Sequence, residues 1–238
     1  MYLQNSTKTV ATFKRPLAAK LTAAPDNERH ILEDILSNPA MRAILRVITR
    51  QGPDGTCFFE RLCANYDRPE NWRWALPSAA ISLALARARA DKELWKRKLF
   101  HHRPTVKALA LAARSVARHG LTRPQWFAAP LMVVWNITRA CNLKCRHCYE
   151  DASGAPRENE LTLEEKIGVV DQMGDAGVPF LAIAGGEPLV LRHLPEVLSH
   201  ATRRGIHLTL ATNGTLLTPE RAAQLKELGV KYIEISVD

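Results

Sequence analysis

The chain has 238 residues, of which 46% are hydrophobic and 24% charged, with a net charge of +9. That length gives room for one large domain or two modest ones with a substantial core. No apolar run reaches the length of a membrane span, because the longest, "ALPSAAISLALA" (75–86), is too short and is interrupted by Pro77. With no signal-peptide h-region either, a soluble cytoplasmic protein is the expectation.

The charge is unevenly shared: residues 1–130 carry a net +12 and residues 131–238 a net −3. Such asymmetry marks a compositional boundary, and the chain divides into 1–128 and 129–238. The first 25 residues hold Lys8, Lys14, Arg15 and Lys20 without an acid, which predicts a disordered basic tail. The rest of the first part reads as helical, over "NPAMRAILRVITRQG" (38–52) and "PTVKALALAARSVARHG" (104–120). In the latter, Pro104 opens the helix, Gly120 closes it, and Val106, Leu109, Ala113, Val116 and Ala117 form the apolar stripe. "DKELWKRKLFHHRP" (91–104) is the most basic stretch and predicts a solvated helix face. "LTRPQWFAAP" (121–130), with two prolines, predicts a linker.

Beyond residue 130 strands and helices alternate. "LMVVWNIT" (131–138), "VPFLAIAG" (178–185), "IHLTLAT" (206–212) and "VKYIEISVD" (230–238) are strand-like. The near-continuous apolar run of 178–185 predicts burial on both faces. Between the strands lie helical segments at 161–177, 191–205 and 218–229, the first opened by the Thr162/Glu165 capping box and the last by Thr218 and Pro219. The alternation implies an α/β fold with a parallel sheet and right-handed crossovers, either a barrel or an open doubly wound sheet. In both, ligands gather at the carboxyl ends of the strands. The cysteine loop "CNLKCRHCYE" (141–150), "GGEP" (185–188), "TNG" (212–214) and "SVD" (236–238) each follow such an end, and together they define one rim.

Of five cysteines, Cys141, Cys145 and Cys148 stand at C-x3-C-x2-C spacing. An odd count with a tight cluster argues against a disulfide framework and for bound metal. Structural zinc favours four ligands, and no second cysteine pair follows downstream. His147, lying between two ligands, is poorly placed to be the fourth. Covalent haem attachment needs histidine where Tyr149 stands. A [4Fe–4S] cluster on three cysteines leaves one iron open to an outside ligand. Cys57 and Cys63 lack a metal-site spacing and read as core cysteines.

These residues resemble the radical S-adenosylmethionine (SAM) superfamily. The resemblance rests on the C-x3-C-x2-C loop after the first strand and on Gly185-Gly186-Glu187-Pro188 after the second. "WNITRACNLKCRHCY", "LATNGTLLT" and "IEISVD" are similar to the maturase branch, which serves molybdenum-cofactor, haem and peptide modification. The resemblance covers residues 131–238. It implies a partial (βα) barrel, with about four of the family's six strands present after a mainly helical N-terminal region. The chain is accordingly expected to represent part of a longer enzyme.

The resemblance also implies the cofactors and their contacts. Cys141, Cys145 and Cys148 would ligate a [4Fe–4S] cluster whose fourth iron is chelated by SAM, and reductive SAM cleavage would give a 5′-deoxyadenosyl radical for hydrogen abstraction. Gly185 and Gly186 would allow close approach of the cofactor, with Pro188 completing the turn and Glu187 accepting a hydrogen bond from the methionine ammonium. His147 and Tyr149 would pack near SAM, and Thr212, Asn213, Ser236 and Asp238 would face its carboxylate and ribose. The expected partners are an electron donor such as flavodoxin or ferredoxin and a peptide, protein or small-molecule substrate. Two other readings are a non-catalytic zinc module and an enzyme acting on RNA. Nothing like an aromatic RNA platform accompanies the basic half, so nucleic acid is not expected.

Overall fold

The computed structural model describes residues 33–52, 54–66, 102–152 and 154–237, with Trp74, Ser78, Ala79 and Ser82. The tail expected over residues 1–25, nearly all of the basic stretch 91–104 and Asp238 lie outside the described residues. The N-terminal part supplies α1 (Pro39–Ile48), α2 (Phe58–Asn65) and α3 (Arg103–His119). Then follow β1 (Met132–Asn136), α4 (Leu163–Ala176), β2 (Phe180–Ala184), α5 (Leu194–Arg203), β3 (His207–Thr212), α6 (Pro219–Glu227) and β4 (Val230–Ile235).

Local chemistry sets the helix ends. At α4 the capping box forms as expected: Thr162 Oγ1 accepts from the Glu165 amide at 3.3 Å, and the Thr162 amide donates to Glu165 Oε2 at 2.8 Å. The helix stops at Gly177, whose φ of 76° suits glycine. Thr218 caps α6 by accepting from the Arg221 amide at 3.2 Å.

The four strands are parallel and lie in chain order β1-β2-β3-β4. An order without reversal is the arc of a barrel, and it decides between the two sheet types the sequence allows. One face of the sheet carries the core: Leu181, Ile183, Leu208 and Leu210 pack with Val170, Val197, Leu198 and Ala201. The other face is uncovered among the described residues. There Phe180, Ala182 and Ala184 are only half-buried, and Val134 is 62% and Tyr232 61% exposed. Among the described residues strand β2 is therefore buried on one face, not on both as its apolar run suggests.

The N-terminal helices meet this sheet from its amino end. Leu111 of α3 shares a small core with Ala129 and Val178, and the 121–130 segment, expected as a linker, is packed rather than free. The Ala128 amide donates to Ser115 Oγ at 3.0 Å. The buried face of α3 includes Lys107 and Ser115, while Leu109, assigned to the stripe by periodicity, is 38% exposed. Polar residues displace an apolar one there because they have backbone partners to satisfy. Lys107 Nζ donates to the carbonyl oxygens of Arg204 (2.9 Å) and Gly205 (3.4 Å) beyond α5, and Arg114 to that of Ala176 at the end of α4. Arg46 Nε donates to the Ala117 carbonyl at 3.1 Å, near the end of α3. Arg46, Lys107 and Arg114 of the first half are thus spent on carbonyl groups at three helix C-termini, where cations are favoured.

Among the described residues no helix is long and apolar enough to cross a membrane. Removing the hydroxyl in Thr162→Ala leaves the first turn of α4 without its cap and is expected to cost about 0.5–2 kcal/mol, read from denaturant unfolding. An unchanged midpoint would show that the capping box does not carry this helix end.

Candidate functional site

The carboxyl ends of β1 and β2 are joined by backbone. After β2 the chain turns back on the segment leaving β1: the Gly186 amide donates to the Thr138 carbonyl and the Glu187 amide to the Ala140 carbonyl, each at 2.8 Å. Gly185 has φ +127°, and a Cβ there would lie 2.4 Å from Thr138 O. A Cβ on Gly186 would lie 2.4 Å from Ala140 O. The close approach that these glycines permit is therefore made by residues 138–140. Pro188 is buried and opens the short 3-10 turn Pro188–Val190.

Glu187 is fully buried. Its Oε1 accepts from the Leu189 amide (3.0 Å) and Thr212 Oγ1 (2.8 Å), and its Oε2 from the Asn213 amide (2.8 Å). All three groups facing it are donors of the chain itself. The sequence reading aims this carboxyl at an ammonium group; in the structure it ties the exit of β2 to the exit of β3.

Asn213 carries the connection onward to the cysteine loop. Its Nδ2 donates to Asn142 Oδ1 at 2.9 Å and lies 3.9 Å from Cys141 Sγ, which also receives the Leu143 amide at 3.4 Å. The first sulfur of the motif is thus half-buried with two N–H groups on it. Cys145 and Cys148 are exposed, and all three thiols are free. The Cys148 amide donates to the Cys145 carbonyl at 3.3 Å, which keeps the second half of the loop turned on itself. Among the described residues no three His, Cys, Asp or Glu side chains converge in metal-holding geometry.

The remaining candidates spread around this loop. Tyr149 is 84% exposed. Thr212 is buried, and its hydroxyl serves Glu187 and the Gly214 amide (3.1 Å). Ser236 is exposed at the exit of β4, with its amide on the Thr212 carbonyl at 3.0 Å. His147 belongs to the same loop. Of the residues singled out in the sequence, the structure brings Cys141, Asn213, Thr212 and Glu187 into one hydrogen-bonded group, while Cys145, Cys148 and Tyr149 stand out into solvent.

One residue of the rim has no motif to announce it. Glu160 Oε1 accepts from the amides of Arg139 (2.7 Å) and Arg157 (3.2 Å), and Oε2 from Thr138 Oγ1 (2.9 Å). Burial raises its pKa, but these donors and nearby Lys166 outweigh burial and hold the carboxyl below its usual value. Its only sequence signal is an acid two residues before a helix cap. Cys57 and Cys63 are elsewhere, buried beside α2. Burial pushes the Cys57 thiol to about 11 and that of Cys63 to about 12, which suits core cysteines rather than thiolate ligands.

The described residues thus form a parallel βα arc with a three-cysteine loop at its carboxyl rim, and this half of the chain is similar to known proteins. Residues 135–238 match the family model described as the Radical SAM superfamily. This part of the chain is 44% identical over 107 residues to the Fe-coproporphyrin III synthase of Methanosarcina barkeri, covering 45% of this chain and 27% of that protein. It is 36% identical over 107 residues to the AdoMet-dependent heme synthase of Nitratidesulfovibrio vulgaris, covering 45% and 29%. It is 36% identical over 109 residues to the PqqA peptide cyclase of Streptomyces rochei, covering 46% and 30%. The chain therefore spans less than a third of the length of these relatives. Among solved structures, Streptococcus suis SuiB bound to S-adenosylmethionine aligns with a TM-score of 0.41 at 19% identity, over 73% of this chain and 39% of that one.

Two outcomes follow from the carboxyl groups. Glu187→Gln sets an NH2 group against a chain donor and is expected to destabilise the cluster-free protein by about 1–3 kcal/mol, measured by thermal or denaturant unfolding. Equal stability of the two proteins would mean that the three donors have other partners. Because Glu160 is held below the ordinary value of 4.5, its contribution is fully present above that pH and fades as pH falls through the lower folded value. Glu160→Gln should flatten that part of the acid-unfolding curve, and an unaltered curve would contradict the assignment.

Proposed function

We propose that this chain belongs to a radical SAM enzyme of cofactor or peptide maturation, with Cys141, Cys145 and Cys148 holding a [4Fe–4S] cluster. The observation that carries the reading is the placement of Cys141. Its sulfur, at the carboxyl rim of the sheet, receives N–H groups from Leu143 and Asn213, the usual setting of a cluster thiolate. The donor set fits as well: three free thiols and no fourth cysteine on the rim leave one metal position open. When bound, the cluster and SAM supply a one-electron cleavage that yields a hydrogen-abstracting radical.

The chain's own residues do the positioning. The 138–140 segment, pinned by Gly186 and Glu187 on one side and Glu160 on the other, fixes where the first ligand emerges. Cys145 and Cys148, on the exposed half of the loop, would supply the other two thiolates that hold the cluster. Glu187 acts through Asn213 and Thr212 and is a positioning residue. His147, Tyr149, Asn213 and Ser236 border the space beside the open position, and Gly185 to Pro188 form its floor. Substrate enters over the uncovered face of the sheet, where Ala182, Ala184 and Ala211 leave room. The names of the relatives, haem synthases and a peptide cyclase, support a tetrapyrrole-like or peptide substrate. An electron donor of the flavodoxin or ferredoxin type in the cytoplasm completes the proposal, in keeping with thiols that must stay reduced.

Anaerobic reconstitution is expected to give about four irons and four sulfides per chain. Replacing Cys141, Cys145 and Cys148 by Ala should abolish uptake, while Cys57→Ala and Cys63→Ala should leave it intact. A stoichiometric zinc with no uptake of iron would sink the reading.

A further inference from the structure

At the opposite end of the sheet lies a cavity of about 280 Å3 that the radical SAM chemistry does not use. It is enclosed by α2, the first turns of α3 and the 202–205 segment that ends α5 and leads to β3. Residues 202–205 sit at the amino end of β3, whereas the cysteine loop sits at the carboxyl rim. The six residues of β3 alone separate the two by roughly 20 Å, at about 3.3 Å per residue.

The cavity's cations outnumber its acids. Arg61 is paired with Asp54 at 3.0 Å, and Arg204 is committed to Asp171 and Asp175 outside the cavity. That leaves Arg103, Arg203 and Lys107 against Glu60. Neither arginine has an ion-pair partner among the described residues; Arg203 donates only to Ser199 Oγ (2.7 Å) and His200 Nδ1 (3.2 Å). Lys107 is only 4% exposed, and two of its three N–H donors are used by the carbonyls of Arg204 and Gly205. The third has no partner among the described residues, and Glu60 makes no ion pair with it. The site also holds the N-terminus of the 17-residue α3, which adds partial positive charge. Burial lowers the Lys107 pKa, Glu60 offsets this in part, and Arg204 and Arg114 push it further down. A buried ammonium with an unspent donor thus lines the same cavity as two guanidinium groups that have no ion-pair partner among the described residues.

We propose that this cavity binds a small oxyanion-bearing molecule, a phosphate or polycarboxylate compound, through Arg103, Arg203 and Lys107. Its size lies just under the low end of ordinary small-molecule sites, about 300 Å3, which favours a compact ligand over a dinucleotide. Because the walls come from both halves of the chain, an occupant would fasten the N-terminal helices to the βα domain and raise the stability of the whole.

The test uses the full chain at constant ionic strength, with inorganic pyrophosphate and citrate as separate probes in calorimetric titrations and thermal unfolding. Saturable binding of either anion with a rise in Tm is expected, and the tighter probe tells phosphate from carboxylate chemistry. Arg103→Ala with Arg203→Ala should weaken it by about tenfold or more. Glu60→Gln, which removes the opposing charge, should strengthen it severalfold, and Cys141→Ala should leave it unchanged. No saturable binding of either probe below about 1 mM, or equal binding by the double arginine variant, would overturn the proposal. So would a Glu60→Gln protein with wild-type affinity, which would mean an adventitious ion only.

Discussion

Everything at the rim depends on one buried carboxyl. Glu187 sits at the exit of β2, and its two oxygens gather the Leu189 amide, the Thr212 hydroxyl and the Asn213 amide. The exits of β2 and β3, distant in sequence, are thereby held in one register. A buried acceptor that lost one of these donors would be left unsatisfied, so the arrangement is strongly specified. From Asn213 the same network reaches Asn142 and the first cysteine sulfur. The site's order thus falls from a rigid floor at Glu187 to an open cysteine loop above it.

The charge asymmetry between the halves has a structural meaning. The last carbonyl groups of α3, α4 and α5 lie beside basic side chains of the N-terminal helices. Arg46, Arg114 and Lys107 supply donors to them. A basic half chain that could suggest nucleic acid is accounted for, in these residues, by partners within the protein. Arg103 and Arg203, beside Lys107 in the cavity, have no acidic partner among the described residues.

Much of this was legible in the sequence where the signal is local. The Thr162/Glu165 box, Thr218 with Pro219, and Gly177 marked the helix ends through side chains a few residues apart. The alternation of strand and helix, with polar words after each strand, placed the rim. Properties set by distant partners were not legible. Glu160 has no motif because its partners, Thr138 and Arg139, are about twenty residues away in the chain. Periodicity put Leu109 inside and left Lys107 out, since it cannot see the carbonyls of residues 204 and 205 that draw the lysine in. The glycine pair was read as space for a cofactor, whereas backbone from another strand fills that space.

The pairing of Gly186 and Glu187 with Thr138 and Ala140 also sets a ruler. The Ala140 carbonyl is the last pinned group before Cys141, with no spare residue between them. An insertion or deletion ahead of Cys141 would rotate the first sulfur off its donors or break the β1–β2 register. From Gly154 to Asn159, by contrast, the chain runs through exposed irregular backbone before Glu160 anchors it again. Length variation among proteins built on this frame should therefore collect after the third cysteine and be absent before the first, so that loops of quite different size can be carried above an unchanged ligand position.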